Sequence, residues 1–169
     1  MGLRKATVDD LAFIMEEISN GVLDGHFSEA YKFPEHLQRL CISMQKVINQ
    51  SEMRIQKAGR QVELVSAELF IYDNEDGIPV GFILLAQEFS GSPDVELYIV
   101  GVKKDFRRKG YGRLMLNDVY LNVLPNTILF ARCFRASKGM VSLLQSTQFT
   151  IVSKTRKGTV HLERRFIDE

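Results

Sequence analysis

Tryptophan is missing altogether, and cysteine, histidine and proline are scarce: two, three and four in 169 residues. Two cysteines, Cys41 and Cys133, cannot form the dense framework of a small secreted module. Both are expected as free thiols in a cytosol, which makes the chain a cytoplasmic one. The three histidines, His26, His36 and His161, show no HxxxH or Cys/His spacing, so no metal is expected. No apolar run approaches the ~20 residues that a spanning helix needs, and the opening MGLRKATVDD has no apolar signal core. Charge of one sign is lacking too. Lys and Arg number 22 against 21 Asp and Glu, a net of +1, which argues against a dedicated nucleic-acid coat, though local basic patches remain.

What is present is a patterned core, 45% hydrophobic residues in 19.3 kDa, with no repeat, linker or low-complexity segment. That is enough for one domain over 1–169 and too little for two. Leu3 to Ala6 reads as a strand. Thr7 with Asp9 and Asp10 starts a helix carrying Leu11, Ile14, Met15 and Ile18. Gly21 and Gly25 interrupt it, and His26 to Phe33 is a loop or short helix. From Pro34 a second helix keeps i, i+3, i+4 spacing through Leu37, Leu40, Met44 and Val47 and is expected to run to about Ala58.

Alternation over Ala67–Tyr72 and Ile78–Ala86, with a turn at Asn74–Gly77, predicts a hairpin. A strand at Val95–Val102 is followed by a helix burying Leu116, Val119, Tyr120, Val123 and Leu124 and stopped by Pro125. Thr127–Phe134 returns as a parallel strand through a right-handed crossover. Ser137 caps a helix with Met140, Val141, Leu143 and Leu144, and two strands, Phe149–Thr155 and Thr159–Phe166, close the chain. The order predicts an α/β fold with a mixed central sheet of six to seven strands and helices on both faces.

Between the central strand and its helix lies the most basic window of the chain. Lys103, Lys104, Arg107, Arg108, Lys109 and Arg113 stand there against the lone Asp105. Arg107, Gly110 and Gly112 make RxxGxG. Glycines at a strand-to-helix corner let backbone NH groups approach a ligand, and the helix adds its unpaired first-turn NH groups and positive dipole end. The expected guest is a phosphate.

These residues resemble motif A of the GCN5-related N-acetyltransferase (GNAT) superfamily, (Q/R)xxGx(G/A) after a strand, over about residues 94–124. The resemblance implies the acyl-CoA N-acyltransferase fold and acetyl-CoA as co-substrate without a metal. It implies that the backbone of Val100, Gly101 and Val102 pairs with the pantetheine arm. Arg107, Arg108, Lys109, Gly110, Tyr111, Gly112 and Arg113 would wrap the pyrophosphate, and Ser137 would touch the pantetheine. Arg132, Arg135 and Lys138 are second-rank candidates for the nucleotide phosphate. The long segment between the first two strands would form part of the acceptor wall.

Acetyl transfer to an amine needs a neutral nucleophile, a stabilised oxyanion and a leaving thiolate. A lysine-type amine of pKa ~10.4 is neutral in about one molecule per few thousand at pH 7, a cost of roughly 4.6 kcal/mol; an α-amine near 8 costs about 1 kcal/mol. The thiol, with pKa ~8.5, leaves with little help. Deprotonation is the larger demand. Glu96, six residues before Val102 where histone acetyltransferases of this superfamily place their base, is the candidate base. It is expected to share a strand face with Tyr98, Val100 and Val102. The Val102 amide is the oxyanion donor.

The acid tyrosine of the family, in a pattern like NxxAxxLYxxxGF, is absent. Aligned on Phe149, Leu144 stands in its place, with Ser137 at the asparagine and Gln148 at the glycine; Tyr98 or Tyr111 would have to substitute. An N-acetyltransferase acting on a primary amine by direct attack is therefore the first reading. A non-catalytic CoA-binding regulatory module is the second. A toxin-type aminoacyl-tRNA acetyltransferase, prompted by Arg156, Lys157, Arg164 and Arg165, is the third. The acceptor stays open among small molecules, peptide termini and protein lysines, and the assembly between monomer and homodimer.

Overall fold

A computed structural model describes residues 1–56, 59 and 61–167. Its strands are β1 (Gly2–Lys5), β2 (Glu52–Ile55), β3 (Glu63–Asp73), β4 (Pro79–Gln87), β5 (Val95–Val102), β6 (Thr127–Cys133), β7 (Thr150–Lys154) and β8 (Val160–Phe166). The helices are α1 (Leu11–Leu23), α2 (Pro34–Gln50), α3 (Tyr111–Tyr120) and α4 (Lys138–Ser146). The strands form one mixed sheet in the order β1-β3-β4-β5-β6-β8-β7, and β2 also pairs with β3.

Each face of the sheet buries its own apolar cluster. One, including Ile14, Ile18, Met44, Ile71 and Phe82, lies under α1 and α2. The other, including Ile83, Leu97, Met115, Leu116, Leu129 and Leu144, lies under α3 and α4. Arg4 ties three elements at the first edge. Its Nε donates to Asp73 at 2.6 Å and its Nη1 to Asp10 at 2.8 Å, while the Thr7 amide donates to the same Asp10 oxygen at 2.8 Å. Thr7 and Asp10 thus open α1 as their side-chain chemistry predicts, through a single 3-10 turn at Val8–Asp10.

The sheet has eight strands where the sequence reading expected six to seven. The second helix does not run on: it ends at Gln50, Ser51 takes a left-handed φ of 54°, and β2 follows at once. The expected end at Ala58 lies outside the described residues. Glu52, Met53, Arg54 and Ile55 alternate, with Met53 and Ile55 buried. The pattern was short enough to pass as more helix.

The helix after the basic turn is also shorter than expected. It ends at Tyr120, so Leu124, expected in the buried stripe, lies beyond the helix and is 73% exposed.

Two irregularities in the sheet create the site. The parallel ladder between β5 and β6 holds only Val95 to Leu129 and Glu96 to Phe130, so the two strands separate beyond that point. Opposite β4, Leu84 faces Ile99 but Leu85 faces Leu97, which leaves Tyr98 as an extra, bulged residue.

Candidate acetyl-CoA and acceptor site

The bulge resets the side-chain alternation of β5. Val95, Leu97, Val100 and Val102 pack toward α3 and α4, whereas Tyr98 and Ile99 pack toward α1 and α2. Glu96, between Val95 and Leu97, belongs to the α1 side. Glu96 and Tyr98 therefore share a face, but Val100 and Val102 do not share it with them. This corrects the expected common face, because a residue inserted into one strand inverts every position after it.

Backbone direction at the end of β5 follows from one hydrogen bond. The Lys103 amide donates to the Val80 carbonyl at 2.9 Å, which makes the facing pair Gly81 and Val102 a non-hydrogen-bonded one. The NH and C=O of Val102 accordingly point away from β4, toward the gap where β6 has turned off. The carbonyl is taken by Arg107, whose Nε donates to it at 2.9 Å.

The basic turn presents a run of free amides. Among the described residues none accepts from the backbone NH of Arg108, Lys109, Gly110, Tyr111, Gly112 or Arg113. Arg108 and Gly110 adopt left-handed φ values of 64° and 89°, and space beside Gly110 is open. Six consecutive donors at the N-terminus of α3, ringed by cations, fit an anion such as a diphosphate. The gap between β5 and β6 fits an extended arm laid beside β5.

The side chains divide differently from the sequence expectation. Arg107 is turned inward: besides the Val102 carbonyl, its Nη1 lies 3.7 Å from Asp24 at the end of α1. Arg113 donates to the Ser146 hydroxyl at 2.8 Å and so joins α3 to α4. Lys109 sits 5.3 Å from the centre of the Phe106 ring. Tyr111 packs edge-on against Phe106 and Tyr72. Gly112 lies where a Cβ would come within 3.0 Å of Leu143, so it serves helix packing as well as the turn.

Beyond the gap, Ser137 is buried and its Oγ is 3.0 Å from His26 Nδ1. Burial, reinforced by the Arg107 charge, pulls the His26 imidazole below its ordinary value, so it is neutral at pH 7. Glu96 is 3% exposed and its Oε1 accepts from Arg132 Nε at 2.7 Å. Burial pushes the Tyr98 hydroxyl up, and the Glu96 charge adds to that. Tyr31, before α2, is raised by burial and by Tyr98. Both phenols stay protonated and able to donate. Arg132, expected at the nucleotide phosphate, is thus engaged with Glu96 instead.

His26, Asp24 and Tyr31 gave no local signal, since their partners are far away in sequence. Glu17 did: it stands at helical spacing from Ile14 and Gly21, a charge on the apolar face of α1. Leu144 is 1% exposed in the second core, so the position of the family's acid tyrosine faces packing here. Arg164 caps the Tyr120 and Phe166 rings at 4.4 and 4.5 Å and donates to the Thr147 carbonyl at 3.0 Å, which removes it from any basic surface. A cavity of about 690 Å³ lined by Leu3, Phe70, Leu85, Val119 and Leu129 lies at the other end of α3 and includes no residue of the basic turn.

The described residues contain no helix long and apolar enough to cross a membrane. Comparison with solved structures returns the same architecture. A phosphinothricin acetyltransferase of Sinorhizobium meliloti in complex with acetyl-CoA superposes with a TM-score of 0.71 at 16% identity, covering 98% of this chain and 88% of its own. The PaiA N-acetyltransferase of Thermoplasma acidophilum in complex with coenzyme A gives 0.66 at 15%, with 97% and 98% covered. A ribosomal-protein-alanine N-acetyltransferase of Brucella melitensis gives 0.65 at 16%, with 98% and 100% covered. These likenesses show the fold, and no curated protein matches the chain. The model of the acetyltransferase (GNAT) family matches residues 34–133, which hold β5, the free amides of the basic turn and β6, and this chain therefore belongs to that family.

Proposed function

We propose that the protein transfers the acetyl group of acetyl-CoA to a primary amine by direct attack, working as a cytoplasmic enzyme of one domain. The observation that carries this reading is the run of unbonded amides from Arg108 to Arg113 beside the open gap between β5 and β6.

In this reading the amides of the basic turn, with Arg108 and Lys109, hold the diphosphate. The outward-facing backbone of Val100 and Val102 pairs with the pantetheine arm, and Ser137 touches it from the far side. Acetyl-CoA supplies an activated acyl carbon and a leaving thiolate. The Val102 amide donates to the acyl oxygen as charge develops there. Arg107 holds the turn and α1 in register through Val102 and Asp24. On the α1 face Glu96, Tyr98, Tyr31 and Arg132 wall the acceptor, with the Tyr98 hydroxyl as proton donor in place of the missing tyrosine. The wall is polar, which suits the amine of a small molecule or a peptide.

The test is release of thiol from acetyl-CoA across a broad panel of amines. Turnover on one class of amine supports the reading. Tight acetyl-CoA binding with no thiol release on any amine favours a CoA-binding regulatory module, which the burial of Leu144 permits.

A further inference from the structure

The carboxylate of Glu17 has no structural task. It sits on the buried face of α1 and is 6% exposed, yet among the described residues nothing donates a hydrogen bond to it and nothing forms an ion pair with it. No fully buried side-chain oxygen among the described residues lacks a partner. The Glu17 oxygens therefore keep some contact with solvent and are not sealed in the core. A carboxylate placed so costs several kcal/mol of desolvation in principle, and packing gives nothing back for it.

Its position along β5 follows from contacts on either side of it. The first turn of α1 is fixed by Phe13, whose ring meets Phe82 edge-on at 6.3 Å, and Phe82 is the ladder partner of Gly101. The end of α1 is fixed by Asp24 on Arg107, which in turn holds the Val102 carbonyl. Glu17 lies between these two anchors on α1, which places it toward the last residues of β5, where the strand has lost β6. The charged groups that act on it are Lys103 and Arg107, which favour its ionised form, and Glu16 and Asp105, which oppose it. Burial outweighs them and raises it above its ordinary value.

We infer that Glu17 is a catalytic carboxylate that takes the proton from the acceptor's ammonium group beside the end of β5. This deepens the acetyl-transfer reading and rests on it. Glu96 is less free for the task, because its Oε1 already accepts from Arg132 at 2.7 Å; it walls the acceptor.

One N–H bond of the ammonium breaks and its proton goes to a Glu17 oxygen, leaving the nitrogen its lone pair. That pair forms the C–N bond to the acyl carbon, and the C–S bond breaks with its electrons going to sulfur. The Tyr98 hydroxyl gives its proton to the thiolate and is refilled by a second proton from the nitrogen, and Glu17 returns its own to water. A raised carboxylate is a better match to an amine than an ordinary one, since proton transfer is easiest between groups of similar affinity.

The experiment uses the full chain carrying 13C-carboxyl glutamate, with Glu17 identified by its loss in Glu17→Gln. The expected result is a Glu17 titration above that of the other glutamates, moved by about half a pH unit or more on saturation with acetyl-CoA, which would take the remaining solvent from the carboxylate. In parallel, thiol release is followed with spermidine, n-butylamine and glycinamide as probe amines. Glu17→Gln is expected to keep acetyl-CoA affinity within about threefold while kcat/KM falls about 100-fold and the acid limb of its pH profile disappears. Glu96→Gln keeps that limb whatever its rate. The inference is overturned if Glu17 titrates with the other glutamates and ignores acetyl-CoA, or if Glu17→Gln retains both rate and limb. If none of the probe amines is acetylated, the titration decides alone. An unaltered chain that does not bind acetyl-CoA refutes the acetyl-transfer reading itself, while the titration without acetyl-CoA still reports whether Glu17 is raised.

Discussion

At Gly101 a single missing Cβ shapes the floor of the gap. A Cβ built there would run into the Phe82 ring, which is fully buried and has nowhere to move. Gly101→Ala should therefore lower stability by about 1–3 kcal/mol, as overpacking does; urea unfolding monitored by circular dichroism measures it. Leu144→Tyr is the residue-scale counterpart. Restoring the family's tyrosine in a packed core should cost a similar 1–3 kcal/mol without raising turnover, since that position faces Leu116 and its neighbours in the second cluster. Cys133 supplies a chemical check. Burial pushes its thiol up to about 11, so iodoacetamide at pH 8 should label the half-buried Cys41 well before Cys133, seen by mass mapping.

Among the elements, the strand, turn and helix from Val95 to Tyr120 were legible because each has a local signature: a β-branched run, glycines spaced for a corner, and a 3.6-residue stripe. The break between α2 and β2 was not. It depends on Ser51 entering the left-handed region and on β3 offering Met53 and Ile55 a partner, a long-range pairing that no local pattern announces. Replacing Ser51 by glycine should relieve that conformation and stabilise the chain by about 0.5–1 kcal/mol in the same unfolding assay. The bulge at Tyr98 was equally hidden, since β5 alternates smoothly in sequence and only its register against β4 shows the extra residue. That is why Glu96 and Tyr98 were read correctly as neighbours but Val100 and Val102 were assigned to the wrong side. The run of free amides was foreseeable from the glycines, whereas the inward turn of Arg107 depends on Asp24, a residue 83 positions away that only the fold brings near.

For the whole molecule, two buried carboxylates should give the stability profile opposite slopes. Asp10 is held low, first by its hydrogen bonds to Arg4. Its folded value lies below its unfolded one, so its contribution is present above the ordinary carboxylate range and is lost as pH falls through the folded value. Asp10→Asn should be less stable by about 1–3 kcal/mol at pH 7, with the deficit closing toward pH 3. Glu17 is held high by burial. The folded state binds its proton more tightly than the unfolded state, so stability falls as pH rises from the ordinary carboxylate range through the folded value. Glu17→Gln should accordingly raise Tm at pH 8 and lose that advantage near pH 4, the mark of a residue kept at a cost to stability. Thermal scans across pH 3–9 measure both.

The central claim is that the turn after β5 grips a coenzyme diphosphate by its main chain, and calorimetric titration with acetyl-CoA tests it most directly. The unaltered chain should bind, and Gly110→Asp, which places a carboxylate and a strained φ among the donors, should weaken binding by at least about tenfold. Arg107→Ala should weaken it less, since its guanidinium holds Val102 and Asp24. Absence of binding in the unaltered chain, or equal affinity in Gly110→Asp, would contradict the account.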